Sequence, residues 1–313
     1  MPARDTQPKQ LTKAQKSIAN KAYKTRSGSC FNNSIEEFLD SREAARIRGS
    51  VNLIFTSPPF PLASPKKYGN LVGEEYLNWI VTTMQGLTPL LAPDGSVVIE
   101  IGNSWDKGSP TMSTLPVRTL LAIADQTGLN VCQQFIWENS ARLPGPATWV
   151  NRERIRLKDS HTHLWWYSPT DRPKASNKNV LVEYSTAMKR LIKTGKYNHG
   201  TRPSEHVIGE TTFVADNAGA IPGSTLVMGN TSTDHRYRDW CNERGLGLHP
   251  ARMPIKLAEF FIKFLTDTGD LVLDPFAGSN TTGRAAENLG RKWISIERDP
   301  NYVLGSRGRF SES

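Results

Sequence analysis

Apolar positions along this chain of 313 residues fall into two rhythms that take turns. The run Val51-Asn52-Leu53-Ile54-Phe55-Thr56 is short, apolar and β-favouring and is stopped by Pro58 and Pro59, which predicts a buried strand ending in a rigid turn. From Glu74 to Leu91 the period changes: Tyr76, Leu77, Ile80, Val81, Met84 and Leu87 share one helical stripe. Ala92-Pro93-Asp94-Gly95 reads as a turn and Ser96–Ile101 as a strand, completing a β–α–β unit. A helix over about Leu115–Gln126 and strands at about Asn130–Trp137 and His163–Tyr167 continue the alternation. Between about Ser168 and Leu248 the rhythm fails, and only Glu183–Thr194 has a helical pattern. It resumes with a helix at Pro254–Thr266, a strand at Asp270–Asp274, a helix at Thr281–Leu289 and a strand at Lys292–Glu297.

This alternation predicts an α/β fold: a mostly parallel, twisted sheet with helices on both faces, interrupted by an inserted irregular region. The boundaries it suggests are a basic arm over residues 1–27, one half of the sheet over 28–168, the insert over 169–248 and the second half over 249–313. The arm, rich in Lys, Gln, Thr and Ser, reads as flexible or as a short surface helix.

Hydrophobic residues make up 37% of the chain, enough for a substantial core. No apolar run approaches the roughly 20 residues that cross a bilayer, and the Lys-studded first 30 residues lack the apolar centre of a secretory signal, so a soluble, cytoplasmic protein is expected. Cys30, Cys132 and Cys241 are widely spaced and form no CxxC pair, which argues against a disulfide framework or thiolate metal site. His161 and His163 lie two apart on a predicted strand, with no carboxylate or thiolate to complete a metal set. The net charge of +9 is uneven: residues 1–30 carry 7 basic and 1 acidic side chains, and residues 141–210 carry 13 and 6. A polyanion such as nucleic acid fits that distribution, and so does a solvated basic surface.

Asp270-Leu-Val-Leu-Asp274-Pro-Phe-Ala-Gly278-Ser-Asn-Thr-Thr-Gly283 places a small-residue turn between a buried strand and a helix, where ligands lie in open α/β sheets. Glu297 ends the next strand, at the distance from which an acidic side chain accepts hydrogen bonds from ribose hydroxyls. The turn is not GxGxxG, and no Lys-Ser/Thr follows its glycines, so a nucleoside without a phosphate linkage, such as S-adenosylmethionine, fits better than NAD or ATP.

Ser57-Pro58-Pro59-Phe60 is the second informative stretch. Consecutive prolines stiffen the backbone and supply carbonyl acceptors without N–H donors, which suits a ligand bearing an NH₂ group. An exocyclic base amine is a poor nucleophile because its lone pair is delocalised into the ring. Accepting hydrogen bonds from both its protons, as the Ser57 hydroxyl and the Pro58 carbonyl are placed to do, returns density to nitrogen. Phe60 is suited to stack on a base taken out of the duplex. A kinked loop with Phe60 in the core is the competing structural explanation.

Together, Ser57–Phe60 and Asp274–Gly283 resemble the amino-group DNA methyltransferases that use S-adenosylmethionine. The catalytic turn precedes the cofactor turn, similar to the circularly permuted β class, and Ser before Pro-Pro is similar to members acting on cytosine N4. Further stretches, among them Trp149-Val150-Asn151, His249-Pro250-Ala251-Arg252 and Arg291-Lys292-Trp293-Ile294-Ser295, spread the resemblance from about residue 28 to 303. It implies Ser57, Pro58, Pro59 and Phe60 as the target-amine site. Asp274, Phe276, Gly278, Ser279, Asn280 and Thr281 form the implied cofactor turn, Glu297 the ribose acceptor, and His249 and Pro250 part of the cover over the methionine end. Where the family has Gly-Asp before a small residue, contacting the adenine amine, this chain reads Asn32-Asn33-Ser34. Asn33 offers either a neutral carbonyl for that contact or a cap for the following helix.

The resemblance implies direct methyl transfer with no metal and no covalent intermediate. Cys132, mid-strand and without a preceding Pro, is not expected to serve a C5-cytosine route. Double-stranded DNA is the implied partner, with a restriction endonuclease of the same specificity acting on it without a stable complex. Target recognition is expected within residues 169–248, where Arg172, Lys174, Lys178, Lys189, Arg190, Lys193, Lys196 and Arg202 are candidates for phosphates and guanine edges. Adenine N6 as the target, and a non-catalytic DNA-binding protein that keeps the fold, are the alternatives.

Overall fold

The structure, a computed structural model, describes residues 17–60, 71–196, 199–209, 214–230 and 234–310. Eleven strands and nine α-helices follow in order among the described residues: β1 (Lys21–Lys24), β2 (Gly28–Asn32), α1 (Ile35–Leu39), α2 (Arg42–Arg46), β3 (Val51–Thr56), α3 (Gly73–Leu87), β4 (Leu91–Gly102), α4 (Leu115–Thr127), β5 (Asn130–Glu138), β6 (His161–Ser168), α5 (Thr186–Thr194), β7 (Gly200–Thr201), β8 (Val207–Ile208), β9 (Thr225–Val227), α6 (His235–Glu243), α7 (Ile255–Leu265), β10 (Leu271–Asp274), α8 (Thr281–Asn288), β11 (Lys292–Glu297) and α9 (Pro300–Ser306). Nine strands form one sheet in the order β1-β2-β11-β10-β3-β4-β6-β5-β9, and β7 and β8 form a separate antiparallel pair. The run from β2 to β4 is parallel throughout; β6 runs against both neighbours and β1 against β2.

Side chains alternate across the pleat, and the two faces build two cores. Ile54, Val97, Ile99, Leu273 and Ile296 pack with Tyr76, Ile80 and Met84 of α3 and Ile123 of α4. Leu53, Phe55, Val98 and Val272 pack on the other face with Leu257, Phe261 and Ile262 of α7 and Ala285 and Ala286 of α8. The expected α/β fold with helices on both faces is therefore present. No helix of the described residues is long and apolar enough to cross a membrane.

Several boundaries differ from the sequence reading, each for a local reason. The α3 helix ends at Leu87, and Thr88-Pro89-Leu90 forms one 3₁₀ turn. Ala92–Gly95 is a bulge within β4 rather than a separate turn, since Val51 pairs with Leu91 and Leu53 already with Ser96. The supposed arm is partly sheet: β1 pairs with β2, Tyr23 is buried, and its hydroxyl meets Ser306 Oγ at 2.6 Å. Residues 1–16 of that arm lie outside the described residues.

The region 169–248 is not uniformly irregular. Its β9 joins β5 at the sheet edge, and its α6 packs on α9 and on the 3₁₀ turn Arg307–Arg309. Residues 174–180 run along the end of the sheet where β10 begins: Lys174 Nζ lies 2.9 Å from both Asp267 and Asp270, Ser176 N donates to Phe264 O (2.8 Å), and Asn179 Nδ2 to Lys263 O (3.1 Å).

Candidate functional site

Parallel strands that turn into helices leave their carboxyl ends along one edge, and that edge holds a cleft of about 1390 Å³. The pairing of Val272 with Leu53 and Leu273 with Ile54 sets the ends of β10 and β3 side by side. Thr56 pairs with Ile99, so Ser57 neighbours Glu100. The Thr56 hydroxyl donates to Asp274 Oδ1 at 2.8 Å, tying the root of the Ser-Pro-Pro-Phe turn to the root of the glycine-rich turn. Both turns line the same cleft.

Ser57, Pro58, Pro59 and Phe60 all face this cleft. Phe60 is only partly buried and lies over the end of β4: a Cβ added at Gly102 would meet its ring at 2.7 Å. The placement at the cleft answers the alternative of a core Phe60. Asp274, Phe276, Gly278, Ser279, Thr281, Glu297, His249 and Asn33 line the same cleft.

The Glu297 carboxylate is held from both sides, Oε2 accepting from Gly278 N and Oε1 from Asp299 N, each at 2.8 Å. Burial raises its pKa, and those two N–H bonds work against the rise. Asp274, 3% exposed, is pushed up to about 6 by burial despite accepting from Thr56 and from Phe276 N. Gly278 sits at φ +51°, and a Cβ there would lie 2.9 Å from His249 Nε2. That ring is fixed in turn, with Nδ1 bonded to Ala251 O at 2.8 Å and its plane edge-on to Tyr302 at 4.6 Å.

Two expected site residues lie elsewhere. Asn280 is fully buried, in a left-handed conformation, and caps α8: Oδ1 accepts from Gly283 N (3.0 Å) and Ser295 Oγ (2.7 Å), while Nδ2 donates to Tyr23 OH (2.9 Å). Pro250 is exposed and outside the lining of the cleft. The cap of α1 is Ser34 rather than Asn33: Ser34 and Glu37 form a reciprocal capping box, and Asn33 Oδ1 accepts from Asn20 N at 2.8 Å.

The sequence reading missed other lining groups. Glu100, 4% exposed, has its pKa raised by burial, against hydrogen bonding with Ser57 and the charge of Arg142. A lone carboxylate in the apolar run Ser96–Ile101 was the available signal. Trp79 packs on Phe276 at 5.4 Å and donates through Nε1 to Glu36 at 3.0 Å. Among the tryptophans, Trp137 lines the cleft but is buried with its Nε1 on Met228 O, Trp165 and Trp166 are core, and Trp149 packs against Trp105. Cys132 is absent from the lining, and burial pushes its thiol up to about 11.

These groups fit a nucleoside sulfonium: a glycine cradle that any Cβ would fill, a half-buried carboxylate held by two backbone N–H groups and an aromatic wall from Trp79 and Phe276. Comparison with known proteins agrees. Residues 51–306 match the family model described as DNA methylase. The type II methyltransferase M.PvuII of Proteus hauseri is 42% identical over 294 residues, covering 93% of this chain and 86% of its own length. Among solved structures, that of PvuII DNA methyltransferase (cytosine-N4-specific) superposes with a TM-score of 0.76 at 36% identity, covering 94% of this chain and 90% of that one. The M1.HpyAVI–SAM complex shares the fold, with a TM-score of 0.54 at 20% identity over 91% of this chain and all of the other. A match that runs from the Ser-Pro-Pro-Phe strand through the cofactor turn, over most of the chain's length, places this protein in the family of S-adenosylmethionine-dependent DNA methyltransferases.

Proposed function

We propose that this enzyme methylates the exocyclic N4 amine of a cytosine rotated out of a specific duplex site. The observation that carries the reading is that Ser57–Phe60 and Asp274–Ser279 line one cleft, with the roots of the two turns joined by the Thr56–Asp274 hydrogen bond. S-adenosylmethionine, when bound, supplies the electrophilic methyl group. The Ser57 hydroxyl and the Pro58 carbonyl accept hydrogen bonds from the two amine N–H groups and return lone-pair density to nitrogen, while Phe60 stacks on the base. Positioning supplies most of the rate. Glu100, buried beside Ser57, receives the proton that the substituted nitrogen sheds; its raised pKa favours holding it.

On the cofactor side, Glu297 keeps lone pairs for ribose hydroxyls, Asn33 offers its carbonyl to the adenine amine, and Trp79 and Phe276 wall the adenine. Gly278, Ser279 and Thr281 give the close backbone approach. His249 covers the methionine end, and Asp274 holds the turn to β3. Asn280 acts only through the turn it caps. A restriction endonuclease reading the same site, without a stable complex, is the partner this marking implies, and the cytoplasm is where such DNA lies.

Labelled S-adenosylmethionine and random-sequence duplex DNA, followed by nucleoside analysis, test the proposal. Label is expected in N4-methylcytosine. Label in N6-methyladenine would move the target to adenine, and no transfer would favour a non-catalytic DNA-binding protein. Ser57→Ala and Glu100→Gln are each expected to lower kcat by about 10²–10⁴-fold with cofactor affinity kept. Full activity of Ser57→Ala would remove its assigned role.

A further inference from the structure

The connection between β5 and β6, residues 139–160, leaves the sheet beside the cleft and returns to it there. Its base is braced: Asn139 N donates to Ser160 O (2.9 Å), Arg142 N to Asn139 O (3.0 Å), Ala141 N to Asn139 Oδ1 (3.1 Å) and Asp159 N to Gly145 O (3.1 Å). Arg142 Nη1 donates to His161 O at 3.1 Å, and its charge acts on Glu100. Further out, Arg156 bonds Pro110 O at 2.7 Å and both carboxylate oxygens of Asp159 at 3.2 Å. The excursion is thus fixed at its root, and the next residue after Arg142 inherits that position.

That residue is Leu143. It lines the cleft and yet is 84% exposed, so it stands at the mouth instead of packing in the core. The same excursion exposes Arg152, Arg154 and Lys158, cations suited to phosphates on either side of a bound site. Ile155 and Leu157 are also exposed, at 60% and 90%, but outside the cleft lining. An aliphatic side chain on a rigid root, at the entrance to a pocket meant for a single base and carried on a connection that also exposes cations, has the properties of a wedge that separates stacked bases.

We infer that Leu143 enters the substrate duplex and occupies the gap left by the extruded base. The inference rests on the base-flipping reaction proposed above and adds a residue that holds the duplex open while Ser57 and Phe60 hold the base. It also moves DNA contact toward residues 139–160, outside the 169–248 region expected from sequence.

The test compares Leu143→Ala and Leu143→Met with the unaltered enzyme on two oligonucleotide duplexes carrying a site mapped by sequencing of methylated random DNA. One duplex is fully paired; in the other the target cytosine faces an abasic position. Leu143→Ala is expected to lower kcat/KM about 30-fold on the paired duplex and less than about 3-fold on the abasic one, since an unpaired base is cheaper to extrude. A 2-aminopurine at the target position is expected to brighten with the unaltered enzyme and with Leu143→Met, and to lose most of that rise with Leu143→Ala. Equal losses on both duplexes, or no loss on the paired one, would overturn the inference. An unaltered enzyme inactive on both would overturn the reaction itself and the inference with it. Because Leu143 is exposed, its truncation leaves the folded core intact.

Discussion

Replacing Gly278 by Ala tests the cofactor turn at its tightest point. The backbone there is left-handed at φ +51°, which costs a residue with a Cβ about 1–2 kcal/mol. The new methyl would also lie 2.9, 3.0 and 3.2 Å from Nε2, Cε1 and Cδ2 of His249. That ring cannot retreat without giving up its bond to Ala251 O and its contact with Tyr302. If the turn moves instead, the Gly278 N–H leaves the Glu297 carboxylate, and a hydrogen bond to a charged group contributes about 1.5–3 kcal/mol. A combined loss of about 3 kcal/mol corresponds to roughly 100-fold weaker cofactor binding if it falls wholly on the bound state. Calorimetric titration with S-adenosylmethionine and urea unfolding of Gly278→Ala measure the two parts. In the His249→Ala background the contact part disappears, and the unfolding penalty of Gly278→Ala is expected to shrink to the backbone part. A combined loss from unfolding and binding below about 1 kcal/mol, or the same unfolding penalty in both backgrounds, would refute the reasoning.

Two further outcomes are expected. Asp274 has a folded pKa raised to about 6 from 3.8, so the stability its protonation lends is complete below about 3.8 and is lost as pH rises through 6. Asp274→Asn keeps an acceptor for Thr56 and should be more stable than the unaltered chain at pH 7.5, by at most about 3 kcal/mol, with the advantage vanishing at low pH; urea unfolding without added cofactor measures it, and a less stable variant at pH 7.5 contradicts it. In DNA-binding anisotropy across a salt series, Arg154→Ala or Lys158→Ala should reduce the slope by about 1 while Lys174→Ala leaves it unchanged. A reduced slope for Lys174→Ala would restore that lysine to the DNA surface.

What the sequence made legible depended on how much of each signal was local. The strands at Val51–Thr56 and Lys292–Glu297 are copied without change because their apolar runs are short, continuous and bounded. Lys21–Lys24 was hidden: in Lys-Ala-Tyr-Lys only Tyr23 turns inward, and four residues are too few to establish a period. The α6 helix was missed because Tyr237 and Cys241 are its only buried residues. Three residues of β9 owe their strand state to β5 alone. At the site, the two turns were readable because each is a contiguous motif. Glu100 and Trp79 were not, since each reaches the cleft through a neighbour distant in sequence. Lys174 illustrates the opposite case: a charge that reads as a partner for phosphate is set by the fold between Asp267 and Asp270.

The glycine-rich turn is gripped by residues from remote parts of the chain. Asn280 is bonded by Tyr23, 257 positions earlier, and Ser279 by the buried Arg309, whose Nη2 donates to Ser279 Oγ at 2.9 Å and whose Nη1 bonds Asp234 at 2.7 Å. Translation must therefore pass residue 309 before the nucleoside pocket has all its supports, and loop closure on this scale is slow. A nascent polypeptide that already displays Ser57–Phe60 still lacks the arginine that clasps the other turn until its last few residues emerge.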